Sequence, residues 1–387
     1  PQPRGVHLRE RYTQEWVDKL VGYEMPKPFQ PWQEGTSCGL YNLFDSVLTG
    51  EKYPIRAMIA PGSQAIASTR GTKRIIEALG KLEFFVVLDL MRTSDMPWAD
   101  VVMPVATGYE NDHPFETSGP WIMARNQVIE RQGDYKSDYE FWLDLGTACG
   151  YGEDWWNGDI KAHMDWRMEP MEMTYEQLRT EYPKGRKYKG NPREYEQYAK
   201  RFSTVSTRID KGPYLPQGKV AIYNTLFEEA GFTPMPVWRE LPEGPTATPE
   251  LLDKYPLLMS DYHTSKTYNA AWLRNIPYLR EIEPYPFLHI YPDTAKARGI
   301  NDGDWVIVEG PHGWLKVKAM YYPGIRPDTV MILHGWWQGC QELGMEDYPL
   351  ADGGANSNNM YTTDRSKMFD PVVMAMSSQT LVEVRKA

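Results

Sequence analysis

Residues 55–104 read IRAMIAPGSQAIASTRGTKRIIEALGKLEFFVVLDLMRTSDMPWADVVMP, and this stretch decides the fold. Ile55–Ala60 is a short apolar run closed by Pro61-Gly62-Ser63. Gly71–Leu82 sets Ile75, Ile76, Leu79 and Leu82 at helical spacing, which predicts an amphipathic helix. Phe84–Leu88 is a second buried-strand run, closed by Asp89, and Ala99–Met103 is a third, closed by Pro104. Strand, helix, strand, short connection, strand is the grammar of a doubly wound parallel α/β sheet. Ligands of such sheets bind beyond the carboxyl ends of the strands, so the residues after each run are the first to inspect.

Outward from this core, Ser137–Cys149 reads as a helix. The following stretch, 151–216, is a long insertion rich in Trp, Met, Tyr, Glu and Lys. Its charges define no single face, so irregular and helical surface packing is expected. Upstream, residues 1–53 are polar and Pro-studded, with one modest helix around Glu10–Val21. Pro242–Pro256, PEGPTATPELLDKYP, is the best linker candidate. The chain therefore divides into an α/β domain over 1–245 and a second domain over 246–387. The second is β-rich: Leu257–Ser260, Phe287–Ile290, Trp305–Glu309, Trp314–Met320 and Thr329–Leu333 are strand-like runs between Pro, Gly and Asp-Gly turns. A short helix, Asp293–Arg298, is expected with Asp293 as its N-cap. Strands at this spacing suggest a closed barrel.

Composition narrows the function classes. Across 387 residues, 41% are hydrophobic and 24% charged, the balance of an ordinary globular chain. No apolar run approaches the roughly 18–20 residues of a membrane span. With 42 Lys and Arg against 52 Asp and Glu, the net charge of −10 disfavours a nucleic-acid binder, which needs concentrated cations. Cys38, Cys149 and Cys340 form no CxxC or Cys/His cluster, so neither zinc nor an iron–sulfur centre is expected from them. The first residue is Pro, with no apolar leader after it, and residue 1 is not expected to begin the natural gene product.

The segment Val86–Glu110, VVLDLMRTSDMPWADVVMPVATGYE, resembles a signature of the molybdopterin oxidoreductases of the dimethyl sulfoxide reductase superfamily. Its marks are Asp89 at a strand end, Thr93 in the loop, Ala99-Asp100-Val101-Val102-Met103-Pro104, and Glu110. Gly218–Trp238, GKVAIYNTLFEEAGFTPMPVW, is similar to the element that leads into that family's last domain. The longest match, HIYPDTAKARGINDGDWVIVEGPHGWLKVKA (289–319) with YYPGIRPDTVMILHGW (321–336), resembles its dinucleotide-binding barrel. The tail GGANSNNMYTTDRSKMFDPVV resembles the closing Asn-rich loop. EPYPFLHIYP and GDYKSDYEFWLDLG look closest to polysulfide or thiosulfate reductase-like, dehydroxylase-like and acetylene hydratase-like members.

The resemblance implies a mixed, double-psi-like β-barrel and a molybdenum or tungsten ion held by two pterin guanine dinucleotides. It implies metal-centred redox chemistry, or oxygen-atom or hydroxyl transfer, on a small substrate. A non-redox hydratase or lyase and a non-catalytic pterin-binding module are the alternatives. The Cys-rich iron–sulfur motif and the segment with the metal ligand are absent, so the chain reads as the C-terminal half of a catalytic subunit. Its implied partners are the N-terminal half, with an iron–sulfur cluster, and an iron–sulfur electron-transfer subunit.

Candidate cofactor residues follow. Gly62, Ser63 and Gln64 sit between a strand and a helix. There a Gly lets backbone approach a ligand and helix-start amides favour phosphate, although an ordinary βα turn explains them equally well. Asp89 is suited to the guanine N1 and N2 donors, and Arg92 and Thr93 to phosphate or sugar. In the barrel, the resemblance points to Ser260 and to the loop His263, Thr264, Ser265. It also points to Asn275, His334, Trp336 and Asn358, with plain packing as the rival reading for Trp336. Asp100 is read as a structural cap, Glu110 is left open, and His113 is read as hydrogen-bonded scaffold.

Overall fold

The three apolar runs of the opening segment form β1 (Ala57–Pro61), β2 (Phe84–Asp89) and β3 (Val101–Pro104), paired in parallel in that order. The structure, a computed structural model, describes residues 3–4, 40–118, 121–188, 223, 228, 233–235, 237–263, 265, 267–268, 271–364 and 378–387. The expected helix at Glu10–Val21, most of Gly218–Trp238, and Thr264 lie outside these residues. One sheet face carries Phe85 and Val87, which pack with Phe44 of α1 (Leu40–Thr49), Ile66 of α2 (Ala65–Ser68), and Ile75 and Leu79 of α3 (Thr72–Leu79). On the opposite face Leu88 joins Val102, Met103, Phe141 and Leu145 around a cavity of 610 Å³. Asp100 accepts the Phe85 amide at 2.7 Å, which ties the start of β3 to β2.

The barrel is closed by six strands: β7 (Leu257–Tyr262), β8 (Phe287–Ile290), β9 (Trp305–Glu309), β10 (Trp314–Tyr321), β11 (Thr329–Leu333) and β12 (Gln379–Lys386). Their order round the barrel is β10-β8-β11-β7-β12-β9, with β8/β10 and β7/β11 parallel and the other pairs antiparallel. Alternate residues point inward, so Met259, Leu288, Val306, Val308, Val317, Val330, Ile332 and Val382 are all fully buried. The five expected strands appear, and β12 is the addition. Without it β7 and β9 would each present an open edge of unpaired amides and carbonyls. The helix after β8, α7 (Pro292–Lys296), starts one residue earlier than expected. Tyr291 occupies the cap and Asp293 falls in the first turn without a capping bond, because Pro292 takes the first helical position.

The expectation of surface packing for 151–216 is overturned in its described part. The strands β4 (Glu116–Ser118), β5 (Trp121–Met123) and β6 (Arg186–Lys187) make an antiparallel sheet, flanked by α4 (Asp138–Gly146), α5 (Ile160–Met168) and α6 (Tyr175–Glu181). Met164, Met168, Met171, Tyr175 and Leu178 bury themselves against Phe115 and Ile122 in a core of their own. The charges serve the helix ends. Ser137 with Glu140 and Thr174 with Gln177 form capping boxes, and Asp159 caps α5. His113 is buried scaffold, with Nε2 2.7 Å from Ser137 Oγ and Nδ1 3.0 Å from Asp112 Oδ1.

The linker candidate is anchored to the barrel. Glu243 is buried, its carboxylate 2.9 Å from His312 Nε2, and it accepts the Thr380 hydroxyl at 3.2 Å. Among the described residues no helix is long and apolar enough to cross a membrane. If the methionine core is a true core, Met168→Ala should lower unfolding free energy by about 2–5 kcal/mol. Urea denaturation measures this, and a loss within about 0.5 kcal/mol would return the insertion to the surface.

Candidate cofactor site

At the carboxyl end of β1 the chain turns through Gly62 (φ +59°), whose amide donates to Leu88 O at 2.8 Å. The expected phosphate-binding amides of the next helix are already engaged. Ala65 N donates to Asp95 Oδ2 at 2.6 Å, Ile66 N to Asp95 Oδ1 at 3.0 Å and Ala67 N to Ser94 Oγ at 3.2 Å. Asp95 is fully buried; burial pushes its carboxyl up, while these two amides, Ser94 and Ser63 pull it down. An internal carboxylate thus stands where an anion was expected, and a four-residue helix has no further free amide turn to offer. The helix-start reading of Gly62, Ser63 and Gln64 is corrected to this extent.

Other groups at the same tip remain open. Gln64 Oε1, Asp89 Oδ2 and Thr93 Oγ1 are buried and have no hydrogen-bond partner among the described residues. Asp89 accepts Met91 N at 3.0 Å through Oδ1 alone, and burial raises its pKa. Arg92 is exposed, forked onto Asp347 at 2.5 Å through both nitrogens and lying over the Trp337 ring. Glu110 is held down to about 2 by the Tyr135 hydroxyl and by Thr107, and so serves as an acceptor within its own loop.

On the barrel side the candidates divide. His334 is buried and stacks on exposed His263 with ring centroids 3.9 Å apart. Burial and His263 push it down to about 4. Asn275 Oδ1 is a further buried acceptor without a partner. Ser260, half-buried in β7, reaches only its neighbour's carbonyl, Asp261 O, at 3.4 Å. Ser265 is spent on its own turn: it donates to Glu283 at 2.6 Å and accepts the Thr267 and Tyr268 amides. Trp336 is fully buried, with the guanidiniums of Arg274 and Arg280 4.8 and 4.9 Å from its ring centroid and Tyr268 edge-on. That is the packing alternative.

The two sets meet along one seam. Asn358 Nδ2 donates to Ala67 O at 2.7 Å, and Asn356 Nδ2 to Ile66 O at 3.0 Å and to Thr72 Oγ1 at 3.2 Å. Gln338 Nε2 donates to Arg92 O at 2.8 Å, and Arg70 bonds Ser378. Gly335 (φ +63°) lets the loop press so close that a Cβ there would stand 2.9 Å from Ala271 Cβ and 3.1 Å from Ala67 O. On these seam loops Arg70 Nε, Trp337 Nε1 and Ser357 Oγ also lack partners. Unsatisfied buried polar atoms are rare and costly, and this set mixes donors with acceptors, as a nucleotide-like ligand does. No group of three or more His, Cys, Asp or Glu able to hold a metal occurs among the described residues.

Asp95, Asn356, Gln338, Arg274 and Arg280 were not singled out from the sequence. Asp95 lies inside the quoted signature, six residues past the Asp89 strand end, and that position was the available signal. The arginines carry none, because an Arg in a mixed polar segment ordinarily marks surface.

A fold of this kind, with a polar seam between an α/β sheet and a closed barrel, defines a dinucleotide-cofactor protein. The chain belongs to the molybdopterin oxidoreductases of the dimethyl sulfoxide reductase superfamily. The family's molybdopterin oxidoreductase profile matches residues 47–148 and its molydopterin dinucleotide binding domain matches residues 257–372, together more than half of the chain. It is 28% identical to acetylene hydratase of Syntrophotalea acetylenica over 79% of this chain and 40% of that protein. It is also 28% identical to dopamine dehydroxylase of Eggerthella lenta (78% and 36%), and 25% to the molybdopterin-containing thiosulfate reductase subunit of Salmonella typhimurium (76% and 40%). The solved acetylene hydratase from Pelobacter acetylenicus superposes with a TM-score of 0.78 at 23% identity, over 98% of this chain and 53% of that one. The chain spans about two-fifths of the length of these curated relatives.

Two outcomes check this geometry. Asp95→Asn should cost about 1–3 kcal/mol in urea unfolding, since one of two buried amides loses its acceptor. An unchanged midpoint would mean those amides find another acceptor. His334 titrates near 4 rather than 6.5, so the unfolded chain takes up the proton first as pH falls. Stability present above 6.5 should therefore drain away toward 4, and His334→Asn should flatten that slope in urea midpoints taken across the window.

Proposed function

We propose that this chain is the cofactor-binding C-terminal half of a molybdenum- or tungsten-dependent catalytic subunit that binds two pterin guanine dinucleotides. Its α/β unit (1–245) and barrel unit (246–387) bind along their shared seam. The observation that carries this reading is Asp89 Oδ2, a buried acceptor with no partner at the carboxyl end of the central strand. Guanine offers N–H donors to such a carboxylate, and Gln64, Thr93 and Asn275 add unpaired buried groups of the polarity a pterin dinucleotide requires. The residues present therefore fit the group.

When bound, the metal–pterin group supplies the redox, oxygen-atom or hydroxyl transfer chemistry. This chain's residues bind and orient it. Asp89 and Gln64 accept hydrogen bonds, the Thr93 hydroxyl donates or accepts, and the His263–His334 stack forms an edge of the seam at the end of β7. Gly335 and the Asn356–Asn358 loop close the two units on each other, which excludes water from the polar groups between them. The reading assigns the metal ligand, an iron–sulfur cluster and an electron-transfer partner to polypeptide beyond this chain. A second reading is a non-redox hydratase using the same cofactor, which the 28% identity to acetylene hydratase keeps beside the first.

Metal and pterin analysis with native mass of the intact particle tests the proposal. Molybdenum or tungsten with two pterin dinucleotides per particle is the expected result. Asp89→Ala should weaken retention about 10- to 100-fold, from charge-assisted bonds worth roughly 1.5–3 kcal/mol. A particle free of metal and pterin, or unchanged pterin content in the variant, would sink it.

A further inference from the structure

The loop 334–340 at the seam rests on two guanidiniums. Arg274 donates to Gly335 O at 2.8 Å and His334 O at 2.9 Å. Arg280 donates to Gln338 O at 2.8 Å, Pro284 O at 2.8 Å and Arg274 O at 3.2 Å. Both are fully buried, and both pack on the Trp336 ring. Gln338 completes the unit, taking the Arg274 amide at 3.1 Å on its oxygen and reaching across to Arg92 O with its nitrogen.

These two are the fully buried arginines among the described residues. Arg56 pairs with Glu83, Arg92 with Asp347, Arg131 with Glu140 and Arg298 with Glu383. Arg274 and Arg280 meet main-chain carbonyls instead, and neither forms an ion pair with a carboxylate among the described residues. Arg274 Nε has no hydrogen-bond partner among the described residues. Burial pushes Arg274 down to about 9, which leaves it charged at neutral pH. Carbonyl dipoles offset a buried charge only in part, and packing alone would be served by Met or Leu of similar length. What two such charges add is a positive potential in a low-dielectric region, beneath the loop that faces the α/β tip.

We propose that Arg274 and Arg280 are positioning residues whose buried charge, in direct ion pair with no carboxylate among the described residues, acts through loop 334–340 to hold a phosphate-class anion at the seam. The inference rests on the dinucleotide reading and deepens it: the diphosphate charge is met by buried arginines acting from beneath the loop. Amides at the start of α2 are not free to meet it, because Asp95 already holds them. Arg92 is not free either, because Asp347 neutralises it.

The test titrates the complete protein, stripped of bound cofactor, with GDP and with inorganic pyrophosphate by calorimetry at low and high salt. Thermal unfolding is run on the same samples. Arg274→Met and Arg280→Met should each weaken both ligands about tenfold or more and flatten the salt dependence, while the carbonyls left unpaired lower the anion-free melting temperature. Arg274→Lys, which keeps the charge but not the fork, should bind more tightly than Arg274→Met. If Arg274→Met does not fold, Arg280→Gln carries the same expectation. Variants that bind like the parent but melt earlier would mean a merely structural role and overturn the inference. A parent that retains pterin when isolated yet binds neither probe would also overturn it. In that case the cofactor reading stands, and the charges await a carboxylate from other polypeptide. A parent with neither pterin nor probe binding removes the cofactor reading and the inference together.

Discussion

A four-residue helix cannot satisfy its own backbone, and α2 is held at both ends by side chains from elsewhere. Asp95 takes the amides of Ala65 and Ile66, while Asn356 and Asn358 take the carbonyls of Ile66 and Ala67. The amide partner comes from the loop after β2 and the carbonyl partners come from the barrel, so this one turn joins the two units. Gly71 extends the joint. Its amide donates to Asn358 O, and at φ +83° it leaves room for Thr363, which a Cβ would strike. Removing any of these groups leaves a buried backbone atom unpaired, which is more costly than the bond itself is stabilising. The relative placement of Asp89 and His334 therefore depends on α2.

The barrel and the sheet carry different loads. The barrel interior is aliphatic and buried, with strand edges removed by closure. The seam is the reverse. Gln64 Oε1, Asp89 Oδ2, Thr93 Oγ1 and Asn275 Oδ1 have no hydrogen-bond partner among the described residues. A chain keeps such a deficit where a bound group removes it, and where rigid walls hold the open atoms in place for that group. The stacked histidines and the Arg–Trp–Arg cluster supply rigidity on the barrel side, and the parallel sheet supplies it on the other.

Local pattern was enough for much of this molecule. Phe287–Ile290, Trp305–Glu309 and Thr329–Leu333 fall where their alternation predicts, and β2 extends its run by one residue. A period of two with one buried face leaves a strand no other register. The ordered signatures also sufficed for the family, because each ties a residue type to a strand end. Helix boundaries were less legible. Pro292 moved the start of α7, and the methionine core of 151–188 went unread because its apolar residues are spread among charges on short helices.

Tertiary structure alone decided the rest. β12 belongs to the barrel because β7 and β9 need a common neighbour, a requirement invisible in eight residues near the chain end. Asp95 became an internal counter-ion for α2 because the loop after β2 folds back over it. Trp336 became core because Arg274 and Arg280, some sixty residues earlier, pack their guanidiniums on its ring. In each case the residue type set what chemistry was available, and the partner, brought from a distant part of the chain, determined its use. Hydrophobic period is a property of neighbours in sequence, whereas hydrogen-bond satisfaction and charge compensation belong to neighbours in space.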